Sequence, residues 1–592
     1  MKTKHILLGS LVAMALQGLH AADMSKVYRT VVNYTESGFD PAKVSDEASS
    51  RVLENVFDTL VTYDYLARPS KLVPNVTDGM PTISADGTVY TFKIKPGIFF
   101  SDDPAFGGKK RELTAADFAY SIKRHVDPTI NSPWGFLVQD HVKGLAELAK
   151  AAGKGKLNYD TAVEGLKVVD KYTLEITLDE TNRNFLYILA MPCFGAVARE
   201  AIETYKDNTN AHPVGTGPFV LKEWKPGNKM VLEASPSFRK VVFDSVAGKD
   251  PVDAAIVKAL KGKTLPLVGR IEYYVMEEEQ PLWLSFASKQ LDQALVSQAV
   301  MSKVLVMDPK KPTEAHLADE WVKQGVQLQR NPQLETIFFY FNMDDPVVGG
   351  ASKENVALRR AIAMSFPTME TIASIRRGQA MPVNYIIPPG VAGHNPNFRG
   401  APKYDVAAAN ALLDRFGFKV GADGYRTRPN GQPLVITQGS GTAAIDKQWN
   451  EYWQKTFDGL KLKLNFQYGK WNELNKASHE GKLQMWGMSW AADYPDGDNF
   501  MQLLYGKNSG DANSANFKNA EYDRLYEASR KLADGPQRNA LFDQMNKIVV
   551  AQQPWIFGDV RIRSHVTHSY VKGYKTHPIL AAAAWRYVDI QK

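Results

Sequence analysis

Short runs in which apolar and polar residues alternate recur along the chain, separated by longer runs with helical spacing. Alternation with a period of two predicts β-strands at residues 88–94 and 171–178, and residues 270–276, 336–341 and 561–566 are also predicted to be strands. The runs that predict helices are residues 48–60, 115–124, 356–366 and 406–416. Because the two kinds of run are interleaved and no low-complexity segment separates them, we predict mixed α/β domains.

Two stretches predict how strands are connected. Residues 219–224 and 230–233 are predicted to form a hairpin, since Pro226 and Gly227 supply a turn between them. Residues 434–467 follow a strand–helix–strand pattern, which is the crossover that parallel strands need, so a second sheet is expected. The late strand at 561–566 would then return the chain to the first lobe, and repeated crossings make a hinge.

The N-terminus has the order of a secretory signal peptide. Lys2 and Lys4 precede an apolar run at residues 6–16, and the small residues Ala21 and Ala22 follow. This run is too short to cross a bilayer as a stable helix, which takes about 20 residues. We therefore expect residues 1–21 to be cleaved and the remaining 571 of 592 residues to be exported to the periplasm.

Cysteine use and charge narrow the class of protein. Cys193 is the only cysteine, which excludes an internal disulfide and a lipid anchor at the cleavage point, and its apolar neighbours predict a buried side chain. The formal net charge is +7, and removing Lys2 and Lys4 lowers it to +5. Basic and acidic residues are interspersed, so the sequence does not indicate nucleic-acid binding. The length suits two or three domains.

Several motifs occur in a fixed order along the chain. They are LTAADFAYSIKR at 113–124, PVGTGPFVLKEWKPG at 213–227, FFYFN at 338–342, LRRAIAM at 358–364, YDV at 404–406, ALLDRFG at 411–417 and WAADYPD at 490–496. With these motifs the sequence resembles the family 5 extracellular solute-binding proteins, which serve peptide and nickel importers. It departs from the family pattern at residues 365–367, where Ser-Phe-Pro replaces a usual aspartate, and in a longer segment at 101–111.

The resemblance implies an α/β fold of the two-lobed periplasmic binding protein type (type II, cluster C-like) with three domains and a hinged cleft. The expected domain I comprises residues 22–65, 170–276 and 558–592. Domain II would be residues 66–169, an extension of the first lobe, and domain III residues 277–557, the second lobe. A ligand that contacts both lobes would stabilise the closed form.

The resemblance also implies a ligand anchor at Asp493, which matches the aspartate that pairs with a peptide's α-ammonium in relatives. A carboxylate enclosed by two lobes is costly unless it is paired, so a cationic ligand group would complete such a site. The alternative is that Asp493 and Asp496 only cap a loop around Pro495.

Four further residues are candidates for ligand contacts. Trp490 and Tyr494 flank Asp493 and would pack on ligand side chains, while Arg359 would offer a fork for a carboxylate. Asn342 closes the strand at 338–342. The alternatives are a solvated helix face for Arg359 and its neighbour Arg360, and a turn for Asn342.

The sequence does not carry the common signatures of several other classes of protein. A secreted hydrolase would commonly show G-x-S-x-G or H-E-x-x-H, and neither is present. The glycine-rich segment at 439–443 lacks the acidic residue of a dinucleotide site, because the next strand ends at Gln467. His565 and His568 are expected on opposite sides of a strand, which disfavours direct metal chelation and leaves a metal chelate open as a ligand.

The sequence therefore predicts a periplasmic receptor with no catalytic residues, no metal site and no cofactor. The resemblance implies as partners a peptide, or another small molecule such as a nickel chelate, haem or glycoside, and an ABC permease in the inner membrane. We expect a monomer that is not a lipoprotein.

Overall fold

A computed structural model describes residues 22–308 and 311–592. The expected signal peptide at 1–21 lies outside the described residues. The α-helices are Glu47–Val56, Ala115–Arg124, Phe136–Gln139, Leu145–Ala152, Phe185–Leu189, Arg199–Tyr205, Pro251–Leu260, Glu279–Ala287, Met301–Val304, Asp319–Lys323, Lys353–Ser365, Thr368–Ser374, Val406–Arg415, Ala444–Gly459, Trp471–His479, Asp498–Met501, Ala520–Arg530 and Pro536–Gln552.

Two sheets form the first lobe, called here the N lobe. The N sheet has the strand order Asp23–Val32, Val268–Val275, Lys229–Ala234, Phe219–Lys225. The extension sheet has the order Thr82–Ile83, Val89–Lys93, Thr173–Thr177, Leu166–Asp170. Separate hydrophobic cores pack against the two sheets, so the N lobe is built from two units.

The C sheet forms the second lobe, called here the C lobe. Its order is Lys463–Tyr468, Val435–Ser440, Met485–Ala491, Glu335–Phe341, Trp555–Phe557. All seven residues of Glu335–Phe341 are buried, because Phe338 and Tyr340 enter the core on one face while Phe339 and Phe341 enter the core on the other. A strand covered on both faces is apolar throughout, which explains the run FFYF.

The hinge sheet lies between the lobes. Asp559–Thr567 pairs antiparallel with Gln293–Leu295, Gln327–Pro332 and Ala380–Pro382. Gln327–Pro332 leads the chain into the C sheet, and Asp559–Thr567 carries it back toward the N lobe. Two antiparallel strands that cross between lobes give the predicted hinge its physical form.

The shorter strands pair in twos. They are Val61–Tyr63 with Leu72–Pro74, Val241–Val242 with Thr264–Leu265, Leu305–Asp308 with Lys311–Leu317, and Val571–Lys572 with Asp589–Ile590. The third pair belongs to a small core between the N sheet and the hinge sheet, since Val31 and Val566 pack in it.

Local predictions from the sequence are confirmed. The helix Ala115–Arg124 begins after Thr114, whose backbone N–H and hydroxyl both donate to the Asp117 carboxylate, at 2.8 and 2.9 Å. The hairpin turns at Gly227, which adopts a positive φ of 66°. Val435–Ser440 and Lys463–Tyr468 are parallel neighbours joined by the helix Ala444–Gly459.

The predicted domain boundary at residue 170 falls inside the extension sheet. Thr173–Thr177 pairs with Val89–Lys93 on one side and Leu166–Asp170 on the other. We retain three domains as a proposal and extend the second domain through Thr173–Thr177. Cys193 is free and buried, as predicted, and burial raises the pKa of its thiol. Within the described residues, no helix combines the length and the apolar character that a membrane span requires.

Candidate ligand-binding cleft

A cavity of about 440 Å³ lies between the lobes, and a second one of about 290 Å³ adjoins it. The N lobe contributes Glu47 and Arg51 to the larger cavity, and the C lobe contributes Leu334 and Ala492. Three hinge-strand residues also line it: Arg561, Arg563 and His565. The larger volume is in the range of small-molecule sites, and both lobes and the hinge border it. The cleft is therefore where closure would enclose a ligand.

Asp493 lies two residues beyond the strand Met485–Ala491, next to Ala492 of the cavity wall. Its Oδ2 accepts a hydrogen bond from Nδ2 of Asn499 at 2.8 Å. Burial raises the pKa of the Asp493 carboxyl, and the Asn499 hydrogen bond opposes that rise. Among residues 22–308 and 311–592, no positively charged side chain stabilises the Asp493 carboxylate.

Asn499 organises this side of the cleft and was not found by the sequence analysis. It is fully buried, and its Oδ1 accepts from Nε1 of Trp490 at 3.0 Å and from the backbone N–H of Asp493 at 3.2 Å. One amide therefore orients two predicted site residues, Trp490 and Asp493. The only signal in the sequence is an asparagine six residues after Asp493.

Tyr494 faces the other lobe. Its ring is parallel to that of Tyr187 from the N lobe, with 6.2 Å between centroids, and its hydroxyl donates to Oδ2 of Asp498 at 3.1 Å. Nδ2 of Asn184, also from the N lobe, is 3.2 Å from that same oxygen and 3.4 Å from Oδ1 of Asp496. The loop that carries Asp493 is thus also a contact between the lobes.

Asp496 has a structural role in that loop. Its two carboxylate oxygens each accept from the Arg538 guanidinium at 2.6 Å, and both side chains are buried. Oδ1 of Asp496 also accepts from the backbone N–H of Asp498 at 2.8 Å. The loop-capping alternative therefore describes Asp496, whereas Asp493 has no such partner.

The structure places Arg359 away from the cleft. Its guanidinium is fully buried and donates to the main-chain carbonyls of Val348, Gln552 and Gln553. Burial lowers the pKa of Arg359 to about 10. This geometry favours a structural role over the predicted contact with a ligand carboxylate.

Asn342 is also occupied by main-chain contacts. Its Nδ2 donates to the carbonyl of Gly481 at 2.9 Å, and its Oδ1 accepts from the backbone N–H of Asp344 at 3.1 Å. These bonds favour the turn alternative. Of the five predicted residues, Trp490, Asp493 and Tyr494 lie together, and Arg359 and Asn342 do not join them.

His565 lies in the hinge strand, whereas His568 follows its last residue, Thr567, so the two histidines are not on opposite sides of one strand as predicted. His565 lines the cleft, while the ring of His568 stacks on Phe286 at 4.3 Å. Burial lowers the pKa of His565 to about 3. In the part of the chain that the structure describes, no group of three or more histidine, cysteine, aspartate or glutamate side chains is placed to hold a metal ion.

The chain is similar over most of its length to several ligand-binding proteins. The chain is 26% identical over 560 residues to a di/tripeptide-binding protein 2 of Pseudomonas aeruginosa, covering 92% of this chain and 91% of the relative. It is 24% identical over 548 residues to a heme-binding protein A of Haemophilus influenzae (91% and 88%). It is also 24% identical over 603 residues to a probable deoxycholate-binding periplasmic protein of Escherichia coli (98% and 97%).

Solved structures confirm the predicted two-lobed α/β fold. The unliganded open form of the periplasmic murein tripeptide-binding protein MppA matches with a TM-score of 0.70 at 20% identity, covering 95% of this chain and 97% of that one. HbpA2 from Haemophilus parasuis matches with a TM-score of 0.71 at 18% identity (96% and 100%). A family model described as bacterial extracellular solute-binding proteins, family 5 middle, matches residues 71–512, which is more than half of the chain. The chain therefore belongs to the family 5 bacterial extracellular solute-binding proteins, the non-enzymatic receptors of ABC transport.

Proposed function

We propose that this receptor captures short peptides in the cleft between its lobes and delivers them to an ABC permease of the inner membrane. The observation that carries the proposal is the Asp493 carboxylate, which directly follows Ala492 of the cleft wall and has the neutral Asn499 amide as its partner. A buried anion without a cation is costly, so an α-ammonium entering beside Asp493 would recover free energy that closure otherwise loses.

The neighbours of Asp493 fit this role. The Asn499 amide fixes the carboxylate and the Trp490 indole in one arrangement before a ligand arrives, which reduces the ordering cost of binding. Trp490 is half-buried and would pack on the first residue of the peptide. The similarity to a di/tripeptide-binding protein supports a peptide ligand. Because other relatives are named for binding haem and deoxycholate, the tests below must also be able to detect a non-peptide ligand.

The export route and the state of the protein belong to the same proposal. A cleaved signal peptide at 1–21 would release a periplasmic monomer that is not a lipoprotein. Closure around a peptide would bring the outer surfaces of the two lobes together, and the permease would recognise this combined surface.

The first test is the identity of the natural ligand. Native mass spectrometry of protein purified from its host, followed by denaturation, should release peptides of mixed sequence. A single non-peptide compound would contradict the peptide assignment and leave the receptor role in place.

The second test concerns the anchor. Asp493→Asn should weaken peptide binding by roughly 30-fold or more, because a buried ammonium loses its counter-charge. N-acetylation of the peptide should weaken binding to the wild type by a similar factor and should add little in the variant. Asp511→Asn, a change at an exposed carboxylate of the C lobe, is the matched control and should leave the Kd unchanged. Equal Kd values for free and acetylated peptides in calorimetry would remove Asp493 from the site.

A further inference from the structure

The lining of the larger cavity carries an excess of positive charge. Four arginines line the larger cavity, together with two glutamates: Arg51, Arg68, Arg561, Arg563, Glu47 and Glu335. Which of the arginines are already neutralised decides what charge a ligand must bring.

Arg561 forms an ion pair with Glu335 that neutralises its charge. Its Nε is 2.6 Å from Oε1 of Glu335, and its Nη2 reaches the second oxygen at 2.5 Å. This fork-to-fork pair satisfies both groups. Arg561 and Glu335 therefore contribute no net charge to the cleft.

Glu47 is shared by two arginines. Its Oε1 is 2.8 Å from Nη2 of Arg51 and 3.5 Å from Nη1 of Arg563. Although burial opposes it, the charges of Arg51 and Arg563 lower the pKa of Glu47 to about 2, so the carboxylate is ionised. One negative charge thus faces two positive charges.

Both arginines have donors to spare within the described residues. The Arg563 side chain is 41% exposed and has only the long contact with Glu47. The Nε of Arg51 is buried without a hydrogen-bond partner. The two side chains line both the larger and the smaller cavity, and the exposed Arg563 guanidinium offers its free N–H groups to the space that a ligand would fill, whereas the Nε of Arg51 is enclosed.

The remaining charged groups do not restore the balance. Arg68 donates to the carbonyls of Ala67 and Thr576, which carry no charge. Burial lowers the pKa of His577 well below neutral, as it does for His565. In the smaller cavity Glu279 adds a third carboxylate, which accepts from the backbone N–H of Ala299 at 3.0 Å, and the four arginines still outnumber the carboxylates that line the two cavities.

We infer that the cleft selects ligands that bring an anionic group, and that Arg563, supported by Arg51, binds that group at the hinge strand. Under the proposed function, on which this inference rests, the preferred substrates are short peptides with an acidic side chain. The carboxylate would meet the free guanidinium N–H groups of Arg563, and it would supply the second negative charge that Glu47 alone does not provide.

The test is a charge series measured by calorimetry at low ionic strength with Ala-Glu-Ala, Ala-Gln-Ala and Ala-Lys-Ala. We expect Ala-Glu-Ala to bind about tenfold or more tightly than Ala-Gln-Ala, and Ala-Lys-Ala to bind most weakly. Arg563→Gln should reduce the difference between the acidic and the neutral peptide to within about twofold. Arg524→Gln, which changes an exposed arginine of the C lobe, is the matched control and should preserve the order.

The outcomes separate this inference from the proposed function. Equal affinities for the three peptides, or an unchanged order in folded Arg563→Gln protein, would overturn charge selection while peptide binding stands. If none of the peptides binds, the proposed function fails, and thermal shifts with glutarate and its neutral diamide then test the anion site. A shift with glutarate alone that disappears in Arg563→Gln would support the site, and no such shift would overturn it.

Discussion

At the scale of single residues, Arg359 shows what a motif leaves open. The sequence places two arginines next to each other on a helix and cannot tell which one is buried. The answer depends on carbonyl groups at Gln552 and Gln553, more than 190 residues away in the chain. Asn499 is similar, because its role depends on a loop geometry that no periodicity encodes. Asp493 and Trp490 were found through their motif, and their organising amide was not.

Replacement of Arg359 should therefore affect stability and not recognition. Arg359→Met leaves three buried carbonyls without their donor, and we expect a loss of about 2–5 kcal/mol in the free energy of unfolding. Arg360→Met is the matched control and should cost less, because Arg360 is only half-buried. Its Nη2 donates to the carbonyls of Val550 and Ala551, near the end of the helix Pro536–Gln552. Chemical denaturation measures both. A stable Arg359→Met protein with weakened ligand binding would restore the ligand role.

At the scale of elements, the strands and helices that hydrophobic periodicity predicted lie within a few residues of their observed bounds, whereas most of the short helices and short paired strands were not predicted. The helix Ala115–Arg124 was predicted with both its ends and its cap. Its last residue, however, makes a contact that periodicity does not encode. Nη1 and Nη2 of Arg124 are each 2.8 Å from an oxygen of Asp40, and Thr209 donates to the same carboxylate at 2.6 Å. This buried pair joins the extension helix to the N sheet side of the lobe.

The Asp40 pair should make the stability of the N lobe depend on pH. Burial alone would raise the pKa of Asp40, yet the Arg124 guanidinium holds it well below its usual range. The pair then stabilises the fold above the ordinary aspartate pKa of about 3.9, and this stability is lost as the pH falls through the lowered pKa. Asp40→Asn should cost about 3–5 kcal/mol at pH 7, and its difference from the wild type should shrink below about pH 4.

Denaturation curves at several pH values measure this effect. Lys43→Met is the control, because Lys43 is only 3.6 Å from Asp40 at a partly exposed position and should cost less than about 1 kcal/mol. A constant difference between Asp40→Asn and the wild type from pH 7 to pH 3 would contradict the argument.

At the scale of the whole molecule, the lobes touch through the loop that carries Asp493. Asn184 and Tyr187 of the N lobe meet Asp496, Asp498 and Tyr494 of the C lobe. Sequence motifs predicted two lobes and a hinge, but not this contact, because Asn184 is more than 300 residues from its partners. The contact between the lobes and the proposed ligand anchor therefore share one segment of the chain.

Loss of the Asn184 contact should favour the open form. Asn184→Ala removes a donor shared by two carboxylates, so the unliganded protein should show a larger radius of gyration in small-angle X-ray scattering. Ligand affinity should fall by about fivefold, the equivalent of one hydrogen bond. Asn465→Ala, at an exposed position on the edge of the C sheet, should change neither quantity. Identical scattering and Kd values in Asn184→Ala would show that the contact does not influence closure.

The buried Cys193 has a practical consequence. It is the single thiol of the chain, it is 4% exposed, and its raised pKa keeps it in the unreactive protonated form at neutral pH. Maleimide dyes should therefore not react with the native protein. Cysteines introduced on the two rims of the cleft would be the only labelled positions, so lobe closure can be followed by energy transfer in single molecules without first replacing the native residue.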